Sequence, residues 1–93
     1  MWVRIQEVSF PVEHTDSVVD HIRDTVISRY NGDDYRGFRL LLDRTNSTAL
    51  EVSYWASPAA AQSAVMLALT ESAHALDVRI LRTDHYELAV DAG

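Results

Sequence analysis

The chain contains no cysteine and no lysine, and only three glycines and two prolines in 93 residues. Without cysteine there is no disulfide and no thiolate chemistry, and a cytoplasmic location is the expectation. Without lysine, all eight basic residues are arginines, set against 14 acidic residues for a net charge of −6. That bias, with many Ala, Asp and Val, suggests a GC-rich bacterial genome. An acidic domain repels a phosphate backbone, so nucleic-acid binding is disfavoured. No apolar run is long enough to cross a bilayer. The N-terminal MWVRIQEVSFP has neither the basic head nor the apolar stretch of a signal peptide.

What is present is ordinary globular material, 47% hydrophobic and 24% charged. The length predicts one domain over residues 1–93, small enough that a partner subunit would add stability. The acidic residues crowd residues 13–34 (Glu13, Asp16, Asp20, Asp24, Asp33 and Asp34), which reads as a solvated face.

Residues 2–10 (WVRIQEVSF) are β-branched or aromatic at many positions and predict a strand that Pro11 ends. A helix should start at Thr15 or Asp16, either of which could cap it. Val18, Val19, Ile22, Val26, Ile27 and Tyr30 recur at helical spacing, with Asp20, Arg23 and Asp24 opposite. Asn31-Gly32 should stop it. Residues 36–43 and 48–56 read as two strands joined by the turn-favouring TNST. Ser57 then suits an N-cap and Pro58 a first turn, predicting a helix over 58–76 whose small face is Ala61, Val65, Ala68, Leu69 and Ser72. A last strand should cover roughly 78–90, carrying Ile80, Tyr86, Leu88 and Val90.

The order β-α-β-β-α-β is the ferredoxin-like plan, an α+β fold with an antiparallel sheet and two helices on one face. Leu40, Leu41 and Leu42 are consecutive, as are Ile80 and Leu81, so some must point away from the helices. That second apolar face needs a cover, and a two-fold partner docking sheet on sheet would supply it. Phe38, Leu40, Leu41, Leu42, Tyr54 and Tyr86 are the expected sheet-core or homodimer contacts. Trp2 and Phe10, at the ends of strand 1, could be either core or dimer contacts.

Arg36-Gly37-Phe38 superficially spells the basic-glycine-aromatic signature of an RNA-recognition strand. That signature belongs on a third strand with further exposed aromatics. Here the stretch falls on the second strand and continues as three leucines, so it reads as buried sheet. Gly37 then serves a strand start or bulge.

With that plan in place, Gly37-Phe38-Arg39-Leu40-Leu41, Val52-Ser53-Tyr54-Trp55-Ala56-Ser57 and Tyr86-Glu87-Leu88 resemble the antibiotic-biosynthesis-monooxygenase-like family of dimeric α+β barrels. The resemblance implies a pocket in each subunit, between the sheet and its helices. Some members use it to oxidise aromatic polyketides with molecular oxygen and no cofactor; a related branch binds and degrades haem. That branch has three recurrent residues: asparagine on strand 1, tryptophan inside helix 2 and histidine later in helix 2. The corresponding positions fall on Gln6, near Ala64 and near Ala73, with His74 adjacent. One approximate match in three argues against haem, and no cofactor is expected.

The pocket candidates are Gln6, Trp55, His74 and His85. Gln6 is either an amide inside an apolar cavity, able to orient a phenol or carbonyl, or a side chain satisfied at the sheet edge. Trp55 is a pocket wall or, as its large apolar surface favours, the anchor of the strand-to-helix corner. Tyr54 must face the other way. Arg4 and Glu7 could form ion pairs across strands or across a dimer. His74 suits a helix C-terminus electrostatically, and His85 could reach a pocket mouth as an acid or base. The four histidines, His14, His21, His74 and His85, have no metal-ligand spacing, so no metal is expected. No nucleophile elbow or phosphate-binding glycine loop occurs. The sequence thus points to a dimeric small-molecule-binding protein, either a cofactor-free monooxygenase acting on an aromatic ligand or a non-catalytic binding module.

Overall fold

The computed structural model describes residues 1–26, 28, 30, 32–63 and 76–93. Strand β1 is Trp2–Ser9, followed by a single 3₁₀ turn, Val12–His14, and helix α1, Thr15–His21. The helical path continues as a π-turn, Ile22–Val26. Strands β2 (Tyr35–Asp43) and β3 (Thr48–Trp55) come next, then helix α2 from Pro58–Ser63 and strand β4, Arg79–Glu87. The four strands form one antiparallel sheet in the order β2-β3-β1-β4. This is the ferredoxin-like α+β plan.

The start of α1 corrects the expected cap. Thr15 has helical dihedrals (φ −53°, ψ −54°) and its Oγ1 donates to the Val12 carbonyl at 2.7 Å. A capping residue needs non-helical backbone, so Thr15 cannot serve, and Asp16 lies inside the helix. The end differs too, because the α-helix gives way to the wider π-turn at Ile22. Gly32 has φ +101°, the left-handed backbone expected after the helix; Ile27 and Asn31 lie outside the described residues. At α2 the Ser57 Oγ accepts from the Ala60 N–H at 3.1 Å, the capping bond that its position implies. Ala61 is buried, whereas Val65, Ala68, Leu69 and Ser72 lie outside the described residues. Strand β4 stops three residues short of the expected 90. Leu88 N–H still donates to the Met1 carbonyl at 2.8 Å, but β1 begins at that point and leaves 89–90 with no strand to pair with.

Two bulges decide which side chains share a face. Tyr35 pairs with Trp55 and Gly37 with Tyr54, so Arg36 is an extra residue in β2. Tyr35 and Phe38, of opposite parity in sequence, thereby both join the helix-covered side, where each packs against the core. Gly37 takes φ +146° at this bulge, a conformation that strains any residue with a Cβ. In β4, Leu81 is the extra residue, between Ile80 paired with Val8 and Arg82 paired with Glu7.

The core lies under the helices and includes Val8, Phe10, Val18, Ile22, Tyr30, Ala49, Trp55, Ala61 and Val78. Phe38, Leu40, Leu42 and Trp2 pack against it. Tyr30 meets Trp55 edge-on with ring centroids 5.5 Å apart, and Tyr35 meets the same indole at 5.5 Å. Leu41, Leu81 and Tyr86 are exposed.

Candidate functional site

The register of the central strands sets the site. Trp2, Arg4, Gln6 and Val8 project from β1 to the helix-covered face, alongside Ala49, Glu51, Ser53 and Trp55 of β3. The ends of this stripe are apolar and its middle is polar. Arg4 is 2% exposed, Gln6 0%, Glu51 3% and Ser53 2%. Arg4 lies between Ser53 and His85, and Glu51 lies between Gln6 and Leu40.

Some of these groups are satisfied within the fold. Gln6 Nε2 donates to Thr83 Oγ1 at 3.1 Å, and Trp55 Nε1 donates to Ser53 Oγ at 2.8 Å. Others are left open. Both carboxylate oxygens of Glu51, Nη2 of Arg4 and Nε2 of His21 are buried without a hydrogen-bond partner among the described residues. Burial pushes the Glu51 carboxyl from its ordinary 4.5 to about 7, a rise that the Arg4 charge only partly offsets. Burial also raises the Tyr30 phenol, helped by repulsion from Glu51 and opposed by the charge of Arg4 and a hydrogen bond with it. Arg4, Glu51 and Tyr30 therefore act on one another as a single electrostatic group.

Beside the polar stripe is an apolar groove of about 270 Å³ between α1 and β2, lined by Val19, Ile22, Arg23, Phe38, Leu40 and Leu42. Leu40 both lines this groove and pairs with Glu51 across the sheet. The volume falls near the lower end of the range for small-molecule sites, about 300–1,000 Å³. A second depression of about 310 Å³ is lined by residues including Met1, Arg36, Tyr54, Leu88 and Asp91, and neither it nor the groove is lined by Arg4, Gln6, Glu51 or Ser53.

The structure sorts the expected site residues. Gln6 does face the helices, but among polar neighbours rather than in an apolar cavity. Trp55 is 6% exposed and anchors the strand-to-helix corner against Tyr30 and Tyr35. His85 is exposed on the flank of Arg4. His74 lies outside the described residues, as do Ala64 and Ala73. Of the expected sheet contacts, Phe38, Leu40 and Leu42 pack under the helices, while Leu41, Tyr54 and Tyr86 sit on the open face. Glu7 pairs with Arg82 at 3.5 Å, a cross-strand ion pair as anticipated. Arg4 does not belong with it, because its even parity turns it inward to the buried stripe. Glu51 carried no signal among the site candidates; only its parity with Trp55 could have found it.

Among the described residues, no three His, Asp or Glu side chains are grouped to hold a metal ion. No described helix is long and apolar enough to cross a membrane.

No family model matches the chain, and no curated protein matches it in sequence. Solved structures do match in fold. A candidate antibiotic biosynthesis monooxygenase from Deinococcus radiodurans superimposes with a TM-score of 0.76 at 15% identity, covering 100% of this chain and 97% of that one. The haem-degrader MhuD of Mycobacterium tuberculosis, with two haems bound in its active site, gives 0.70 at 17% identity, with all of both chains covered. A candidate antibiotic biosynthesis monooxygenase from Chloroflexus aurantiacus gives 0.66 at 11% identity, over 99% of this chain and 96% of that one. In fold, this chain is a ferredoxin-like α+β protein similar to these antibiotic biosynthesis monooxygenase-like structures.

Proposed function

We propose that the chain binds a small aromatic molecule between its sheet and helices, as a homodimer, and acts on it as a cofactor-independent monooxygenase. The observation that carries this reading is the buried polar stripe of Arg4, Gln6 and Glu51 beside an apolar groove. An apolar wall with a few convergent polar groups is the usual make-up of a small-molecule site. A buried carboxyl with a pKa of about 7 suits a general base at neutral pH, and a guanidinium suits a developing anion. In such chemistry an electron-rich hydroxyaromatic, SH₂, reacts as SH₂ + O₂ → SO + H₂O. The substrate supplies all four electrons that reduce O₂, so no separate reductant is required.

The homodimer rests on the opposite face. Leu41 and Tyr86 are 53% and 51% exposed there, and a second copy of this face would cover them. Light scattering at micromolar concentration tests it, a monomer mass counting against it.

Oxygen uptake in the presence of one-, two- and three-ring hydroxyaromatics tests the catalytic reading. Binding with oxygen consumed mole for mole supports it. Binding without oxygen uptake assigns the chain to the alternative, a non-catalytic ligand-binding module. Failure of every compound to bind contradicts both.

A further inference from the structure

The depression on the open face plays no part in the function proposed above. It lies at the corner where the edge strand β2 begins, holds about 310 Å³, and has Arg36, Gly37, Arg39, Tyr54, Leu88 and Asp91 in its lining. Two features of β2 make it. The bulge puts Arg36 out of the ladder, and Gly37, directly across from Tyr54, has no side chain to fill the space beside that ring. A Cβ on Gly37 would stand 3.9 Å from the Tyr54 ring, so a side chain there would lean into the same space.

The polar side chains around this space are mostly donors. Arg36 Nη1 donates to the carbonyls of Asp33 and Tyr35, which hold the guanidinium in place. Arg39 Nη1 donates to the Tyr54 hydroxyl at 3.2 Å, with the guanidinium carbon 5.6 Å from the ring centre. Each guanidinium keeps Nε and Nη2 for other partners, and the Tyr54 hydroxyl, accepting from Arg39, keeps its own proton to donate. Arg23, Arg44 and Arg82 each pair with a carboxylate, whereas Arg36 and Arg39 have no such partner among the described residues. In a chain with 14 acidic residues, carboxylates are not scarce. Asp91 is the one acidic residue in the lining.

Donors converging on one cavity fit a group that only accepts, and the fork of a guanidinium matches the two oxygens of a carboxylate. We propose that this corner is a second binding site, for a small organic carboxylate with an apolar body. Arg36, Arg39 and the Tyr54 hydroxyl hold the carboxylate, and Met1 and Leu88 flank the apolar part. Asp91 faces the same space and weakens the attraction. The site is on the opposite side of the sheet from the groove between α1 and β2, so it stands apart from the monooxygenase reading.

Proton–nitrogen NMR titration of the full chain with benzoate, benzamide, acetate and inorganic phosphate tests this. Benzoate should shift the Gly37 and Leu88 amides and the Arg39 Nε–H, and leave Val19 and Ile22 in the α1 groove unmoved. It should bind roughly 10-fold more tightly than neutral benzamide, the value of a charge-assisted hydrogen bond, and more tightly than acetate or phosphate. Arg36→Gln and Arg39→Gln should each weaken benzoate roughly 10-fold, and Asp91→Asn should tighten it roughly 2- to 5-fold. All three side chains are exposed, so the fold tolerates these changes. Equal affinity for benzoate and benzamide overturns the proposal, as does phosphate binding at least as tightly as benzoate. Shifts confined to the α1 groove, or none up to the solubility limit of benzoate, overturn it equally.

Discussion

The two faces of the sheet differ in where their polar groups sit. On the side covered by helices, β1 and β3 bury Arg4, Gln6, Glu51 and Ser53 in the middle of the layer. On the uncovered side, the same strands present Val3, Ile5, Leu50, Val52 and Tyr54, extended by Leu41 of β2 and Tyr86 of β4. A sheet built only for stability would turn its more apolar series toward the helices. This one sets four buried polar groups in the middle of its protected face, while Leu41 and Tyr86 on the open face are 53% and 51% exposed. The difference teaches where each proposal rests: ligand binding on the inner face and pairing with a second copy on the outer one.

The comparison can be broken most severely at the apolar end of the covered face. Trp55→Ala removes the ring on which Tyr30 and Tyr35 converge and should cost roughly 3–5 kcal/mol in denaturant unfolding. A loss below about 1 kcal/mol would mean that the corner is not a core.

A second test concerns the polar middle. Glu51 is raised from 4.5 to about 7, so the folded state holds its proton more tightly than the unfolded state does. Stability from this group is therefore complete below about pH 4.5 and is lost as pH rises to about 7. The loss is up to about 3 kcal/mol. Glu51→Gln should flatten that part of the stability-pH curve and unfold at higher urea than the wild type at pH 8. An unchanged curve would show that Glu51 is solvated.

Much of this organisation was legible in advance. Element order, the Ser57-Pro58 helix start, the strand containing Leu40 to Leu42 and the outward turn of Tyr54 all follow from period and capping chemistry. The inner site did not, for an identifiable reason. In WVRIQEVS the odd series, Val3 and Ile5, is more apolar than the even series that holds Arg4 and Gln6. Hydrophobic alternation therefore points the wrong face inward. A charged residue in mid-strand also reads as half of a surface ion pair, which is true of Glu7 and untrue of Arg4. The Arg36 bulge is similarly hidden: it brings Tyr35 and Phe38 onto one face against their sequence parity, and only Gly37 hints at it.

That bulge offers a sharper test of how the faces are assigned. Gly37→Ala finds room, since its Cβ would stand 3.9 Å from the Tyr54 ring, but φ +146° is strained for alanine. The expected cost is about 1–3 kcal/mol in thermal or denaturant unfolding. A neutral effect would place the bulge elsewhere. Least costly to the fold is Leu41→Asp on the open face, where Leu41 is 53% exposed. It should change the stability of the folded chain by less than about 0.5 kcal/mol while converting a dimer to a monomer in light scattering. A dimer that survives it does not use this face.

The central claim is that the helix-covered face holds an open, desolvated carboxyl ready to accept a proton. Carbon NMR of protein labelled at glutamate side-chain carboxyls, with Glu51→Gln assigning the resonance, measures this directly. The account predicts that the Glu51 signal reaches half-titration near pH 7. Half-titration at pH 4–5, with an ordinary glutamate shift, would contradict it.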